Sequence, residues 1–261
     1  MMIFLQVFFV LSILVLFILF VLKPNKRTKE NTPLPDNYRQ LLNDYVKFYE
    51  QLDDAGKNVF EVRLKRFLSN VRITGANAIV EDIDIILIGA GAIIPVYFIP
   101  DWEYVNLHEV LLYPGNFDHD FEQQGHHRTI TGMVGSGALQ NTMIISKWEL
   151  RQGFIDRRSN RNTAIHEFAH LMDKMDGTMD GVPELLLERK YIPQWVNIMN
   201  STIMQMRSRE SDIDSYGATN QAEFFAVVSE YFFEQPEPLR ANHPELYAML
   251  ERMFLRKEES L

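Results

Sequence analysis

The chain has 261 residues, no cysteine, a formal net charge of -9 and 46% apolar residues, enough to bury a substantial core. The missing cysteines exclude disulfide scaffolding and thiolate metal sites. The acidic balance argues against nucleic-acid binding, which wants a basic face.

Residues 1–22, MMIFLQVFFVLSILVLFILFVL, carry no charge, with Gln6 and Ser12 as the polar interruptions. At about 1.5 Å per residue this stretch can cross a hydrocarbon core of about 30 Å, so it predicts one transmembrane helix. A cleaved signal peptide would want a basic leader, a shorter apolar run and a small-residue cleavage site, and all three are missing. Lys23, Lys26, Arg27 and Lys29 follow the span, and the positive-inside rule keeps them cytoplasmic. The expectation is a single-pass protein of the bacterial inner (cytoplasmic) membrane. Residues 23–35 form a polar tether and 36–261 a domain facing the cytoplasm.

From Pro35 to about Asn70 apolar residues recur at helical spacing. Leu41, Leu42, Tyr45, Val46, Phe48 and Tyr49 mark one helix; Val59, Phe60, Val62, Leu64, Phe67 and Leu68 mark another, with a break at Asp53, Asp54 and Gly56, and both stripes are read as core. Residues 83–100 (IDIILIGAGAIIPVYFIP) are too short for a second span. They predict a buried helix packed behind the helix at residues 162–177, its small residues permitting close approach. Tyr104 to Trp148 reads as short strands, YVNL, EVLLY, TITGMVG and TMIISKW, broken by Pro114-Gly115-Asn116 and Gly135-Ser136-Gly137. The intervening HDFEQQGHH holds His119, His126 and His127; a polar loop of this kind is usually solvated rather than metal-binding. The Thr142–Trp148 strand is expected to precede the helix at residues 162–177 directly and to pair, as an edge, with an extended peptide.

Residues 162–177, NTAIHEFAHLMDKMDG, contain the pattern H-E-x-x-H. On a helix, positions i and i+4 share a face, so His166 and His170 converge on one point suited to a metal ion. Glu167 leans to the side of the pair, within reach of a water there. Catalytic zinc uses three protein ligands and keeps one position open; a carboxylate can then act as general base, which is metallopeptidase chemistry. Ala164, Ile165, Phe168, Ala169, Leu171 and Met172 make this helix apolar almost all round, hence buried, and buried histidines need partners.

A third ligand is sought in DIDSYGATNQAEFFAVVSEYFFEQ. Glu223 stands in the first turn of an expected helix among Phe, Ala and Val, where a carboxylate is costly unless a cation meets it; the alternative is that it merely caps the helix. Glu230 lies two turns on, on the face of Glu223, and could hold an imidazole N–H. Asp173, at i+3 from His170, is an equal contender for that role. Tyr216 precedes this helix, and its hydroxyl could stabilise an oxyanion.

HEFAHLMDKMDG with Gly181-Val182-Pro183, and YGATNQAEFFAVVSEYFF, resemble the Mlc titration factor A family of zinc-dependent peptidases. IGAGAIIPV, Ser146-Lys147-Trp148 and His243-Pro244-Glu245-Leu246-Tyr247 extend the likeness over roughly residues 36–256. The Tyr…Glu-Phe-Phe-Ala spacing is also similar to that of the anthrax lethal factor catalytic domain. The resemblance implies His166, His170 and Glu223 as ligands of one Zn2+, Glu167 as general base and Tyr216 as oxyanion stabiliser. It further implies an α+β, mostly helical, zincin-like (gluzincin-like) fold with a small sheet, and aminopeptidase-like activity on small peptides. In enterobacteria it implies binding to a transcriptional repressor. The leading expectation is a membrane-anchored zinc peptidase acting on a peptide or protein substrate. The rival is a regulatory protein that sequesters a transcription regulator and does little or no hydrolysis. A membrane-protein quality-control protease is a third option, suggested by the anchor alone.

Overall fold

Two short helices, α1 (Tyr38–Tyr45) and α2 (Lys47–Glu50), lead into the long α3 (Asp54–Asn70), which Asp53 starts by accepting the Gly56 N–H at 2.7 Å. Glu61 on α3 accepts from Arg39 Nε at 3.0 Å, Tyr49 OH at 2.8 Å and Tyr38 OH at 2.9 Å, binding the three helices together. The Arg39 guanidinium and the two hydroxyls hold the Glu61 carboxyl down at about 2. These coordinates are a computed structural model that describes residues 32–118, 120, 122–123, 129–156 and 159–255.

The chain continues through β1 (Arg72–Gly75), α4 (Asp82–Ile93), β2 (Glu109–Tyr113), β3 (Gly132–Val134), β4 (Thr142–Ser146) and α5 (Lys147–Ile155). It then forms α6 (Thr163–Asp173), α7 (Ile192–Arg207), α8 (Gln221–Glu234), α9 (Pro236–Asn242) and α10 (Pro244–Phe254). The four strands lie in the order β1-β2-β4-β3; β1, β2 and β4 are parallel, and β3 runs antiparallel to β4. The architecture is α+β, mostly helical around a small mixed sheet, and the described residues all belong to one compact unit.

Helix α6, which carries the H-E-x-x-H pattern, is buried as its sequence requires. Phe168 is fully buried, with Tyr104 and Phe67 ring centroids 5.0 and 5.7 Å away. Truncating such a side chain costs about 3–5 kcal/mol. Behind it lies α4, where a Cβ on Gly91 would stand 2.5 Å from the Ala164 Cβ, so glycine sets the distance between the two helices. The fully buried Asp84 carboxylate on α4 is met by Arg151 Nε at 2.7 Å and Lys147 Nζ at 3.3 Å from α5, anchoring α4 against the end of the sheet.

The structure corrects several expectations. Tyr104–Leu107 is a turn rather than a strand, with the buried Tyr104 and Leu107 filling the core. The four-residue β1 carried too little alternation to be seen. The strand at 142 stops at Ser146, is interior, and is followed by α5 before α6 begins; the edge on that side is β3. Val59 and Val62 are exposed rather than core.

The expected single-pass inner-membrane localisation is also corrected: among the described residues no helix is long and apolar enough to cross a membrane. The stretch 1–22, the first nine tether residues 23–31, and His119, His126 and His127 lie outside the described residues.

Candidate metal centre

Helix α6 opens at Asn162, fully buried, whose side chain accepts the Ile165 N–H at 3.2 Å. It closes through a 3-10 turn, Lys174–Asp176, and Gly177 at φ 105°, a left-handed stop that glycine adopts without strain. Over its length it presents His166 and His170 on one face. The adjacent α8 starts at Asn220, whose side chain takes the Glu223 N–H at 2.9 Å. The cap is therefore Asn220, and the Glu223 carboxylate is turned to the histidines.

His166 Nε2 lies 3.0 Å and His170 Nε2 3.4 Å from Glu223 Oε2, and the two imidazole nitrogens are 3.2 Å from each other. Among the described residues these three form the one candidate metal-holding group, their ligand atoms all within 4.8 Å. Four ligands about 2.0–2.1 Å from a tetrahedral zinc stand about 3.3 Å apart. Donor types and spacing both fit that ion.

Burial disfavours a charge on His166, but the Glu230 and Glu223 carboxylates outweigh it and lift the pKa of the metal-free imidazole well above its ordinary value. Burial also works against charge on Glu223, yet its bonds to the two histidines bring it down to about 2. Without a metal the group thus pairs an ionised Glu223 carboxylate with a protonated His166, whose proton a metal ion would displace on binding.

Glu230, one helical face along α8 from Glu223, places Oε1 2.7 Å from His166 Nδ1. Asp173 does not share that role: its Oδ2 accepts the Gly181 N–H at 2.8 Å, holding the loop after α6. Burial raises Asp173 to about 7.

Glu167 is 3% exposed, and its Oε2 has no hydrogen-bond partner among the described residues. Burial raises its pKa above the ordinary carboxylate value. Its neighbour is β3, where a Cβ on Gly132 would stand 2.5 Å from Glu167 Oε1. Tyr216 sits on a 3-10 turn, Ser215–Ala218, half exposed, with its ring centroid 6.0 Å from that of His166. It is beside the group but not in it.

Gly132, Asn162 and Glu234 belong to the site's surroundings and were not singled out by sequence. Asn162 donates Nδ2–H to Glu234 Oε1 at 2.8 Å and its backbone N–H to Glu230 Oε2 at 2.6 Å. An asparagine immediately before an apolar helix is a readable N-cap; its two remote carboxylate partners leave no local signal.

A buried H-E-x-x-H helix joined by a glutamate from a following helix is the donor set of a metallopeptidase. The chain belongs to the glucose-regulated metallo-peptidase M90 family, whose model matches residues 22–255. It is 31% identical over 237 residues to an uncharacterized protein of Synechocystis, covering 85% of this chain and 84% of that one. It is 34% identical over 158 residues to Mlc titration factor A of Pectobacterium atrosepticum, covering 56% of this chain and 58% of the relative. The Escherichia fergusonii Mlc titration factor A is 31% identical over 153 residues, covering 54% and 56%. The chain thus spans a little over half the length of these two relatives.

Proposed function

We propose that this protein is a zinc-dependent peptidase whose catalytic part lies within residues 36–261. The observation that carries the reading is the convergence of His166, His170 and Glu223 beside a buried carboxylate, Glu167, that retains an unpaired oxygen. A zinc ion held by those three side chains would act as a Lewis acid on the peptide carbonyl and make water a nucleophile at neutral pH. Glu167 takes one proton from the attacking water as the O–C bond forms. Its raised pKa suits it to hold that proton and then give it to the nitrogen as the C–N bond breaks. The Tyr216 hydroxyl donates to the oxyanion. An extended substrate adds to the outer edge of β3, bringing its carbonyl past Glu167. Loss of hydrolysis of unblocked and blocked peptides on chelation, with recovery on adding zinc, tests the reading; chelator-insensitive turnover would sink it.

A second reading rests on the relatives named Mlc titration factor A: the chain binds a transcription regulator, with hydrolysis minor or absent. Glu167→Gln separates the two. Regulation that persists when hydrolysis is gone favours binding, since sequestration has no need of a base beside the metal.

A further inference from the structure

The His243-Pro244-Glu245-Leu246-Tyr247 stretch takes no part in the metal group, yet its histidine is tied to the segment that leads to Tyr216. His243, in the junction between α9 and α10, donates Nε2–H to Asp212 Oδ1 at 2.5 Å, and its side chain is only 11% exposed. Asp212 lies on the segment running from α7 to the Tyr216 turn. Its other oxygen accepts the Tyr231 hydroxyl from α8 at 2.6 Å and Asn242 Nδ2–H at 2.7 Å. One carboxylate therefore gathers three donors from two separate places in the fold, and those bonds hold its pKa down against the opposing effect of burial.

Two residues on, Asp214 Oδ1 accepts the Tyr216 N–H at 3.0 Å, and Oδ2 accepts Arg161 Nε–H at 2.6 Å. Arg161 immediately precedes Asn162, the cap of the active-site helix. The buried Ile213 lies between these two anchored carboxylates. Isolated exposed ion pairs contribute little, but a converging set fixes geometry. A hydroxyl on a half-exposed turn gains most from such fixing, because misplacement by about 1 Å can cost up to ~100-fold in rate.

We propose that His243 and Asp212 are positioning residues: they latch the segment before Tyr216 so that its hydroxyl stands over the metal group. The kinetic part of this inference rests on Tyr216 being the oxyanion donor; the structural part does not.

The test is a double-mutant cycle with an independent structural readout on the full chain. His243→Ala is expected to lower kcat about tenfold with KM and zinc affinity unchanged, and to lower it less than about twofold once Tyr216 is already Phe. His243→Gln, which keeps a donor at that reach, is expected to restore most of the rate, and Asp212→Asn to behave like His243→Ala. Hydrogen exchange supplies the second readout. The Tyr216, Gly217 and Thr219 amides, bonded within the turn, should exchange faster in His243→Ala while α6 and α8 keep their protection. Equal losses in both Tyr216 backgrounds, or unchanged turn amides, would overturn the latch. Were His243→Ala to unfold, Asp212→Asn carries the same comparison. A wild type with no hydrolysis would instead count against the proposed peptidase, and the exchange data would still decide the latch.

Discussion

Glu230 bridges His166 Nδ1, at 2.7 Å, and the Asn162 backbone N–H, at 2.6 Å, with its two oxygens. With Nδ1–H committed to that carboxylate, His166 Nε2 is the atom that faces His170 and Glu223, and once it gives up its proton its lone pair is free for a metal ion there. An amide at position 230 can accept from only one of the two donors. Glu230→Gln is therefore expected to weaken zinc binding by about 10–100-fold, as loss of such an outer partner generally does. Competition against a chromophoric chelator measures it; an unchanged affinity contradicts the orienting role.

The approach of β3 to Glu167 leaves room for hydrogen alone at Gly132, where a Cβ would meet Glu167 Oε1 at 2.5 Å and Cγ at 2.7 Å. Gly132→Ala is expected to displace the carboxylate and lower kcat by about tenfold or more while zinc stays bound. Metal content and turnover measured on the same sample separate the two effects.

Gly91 makes the corresponding demand behind the site. An added Cβ there meets Ala164 at 2.5 Å from its Cβ and 3.3 Å from its backbone carbon. Gly91→Ala should cost about 1–3 kcal/mol by overpacking. Gly115→Ala, with nothing within 4 Å of the new methyl, is the control. Urea midpoints compare them, and equal stability of the two variants would contradict the packing argument.

Burial lifts Glu234 from 4.5 to about 7, opposed by its bond from Asn162. The folded state thus binds this proton more tightly than the unfolded chain does. Its contribution is fully present below about 4.5 and is lost as pH rises through about 7. Between pH 5 and about 7.5 the wild type should lose more stability than Glu234→Gln, whose amide oxygen still accepts from Asn162. Parallel profiles would exclude the linkage.

The legible part of the molecule was what local spacing encodes. His166 and His170 share a face because they are four apart, Gly89 and Gly91 mark a close helix contact, and Asp53 begins α3 after the foreseen break. Strand order and the competition between remote partners were not legible in the same way. The interior place of β4 follows from parallel pairing with β2, a partner about thirty residues away in register, and no pattern within TMIIS announces it. The choice between Glu230 and Asp173 turned on the approach of α8 to α6. Asp173 was instead taken by the Gly181 N–H of a loop whose path sequence spacing does not specify. Val59 and Val62 look like core in a helical count, yet they face outward on α3.

The most direct measurement of the central claim is zinc stoichiometry and peptide turnover on the full chain, wild type beside Glu167→Gln. The predicted result is one zinc per chain in both, with hydrolysis in the wild type alone. A full complement of zinc with equal turnover in Glu167→Gln, or a wild type that binds no zinc, would contradict it.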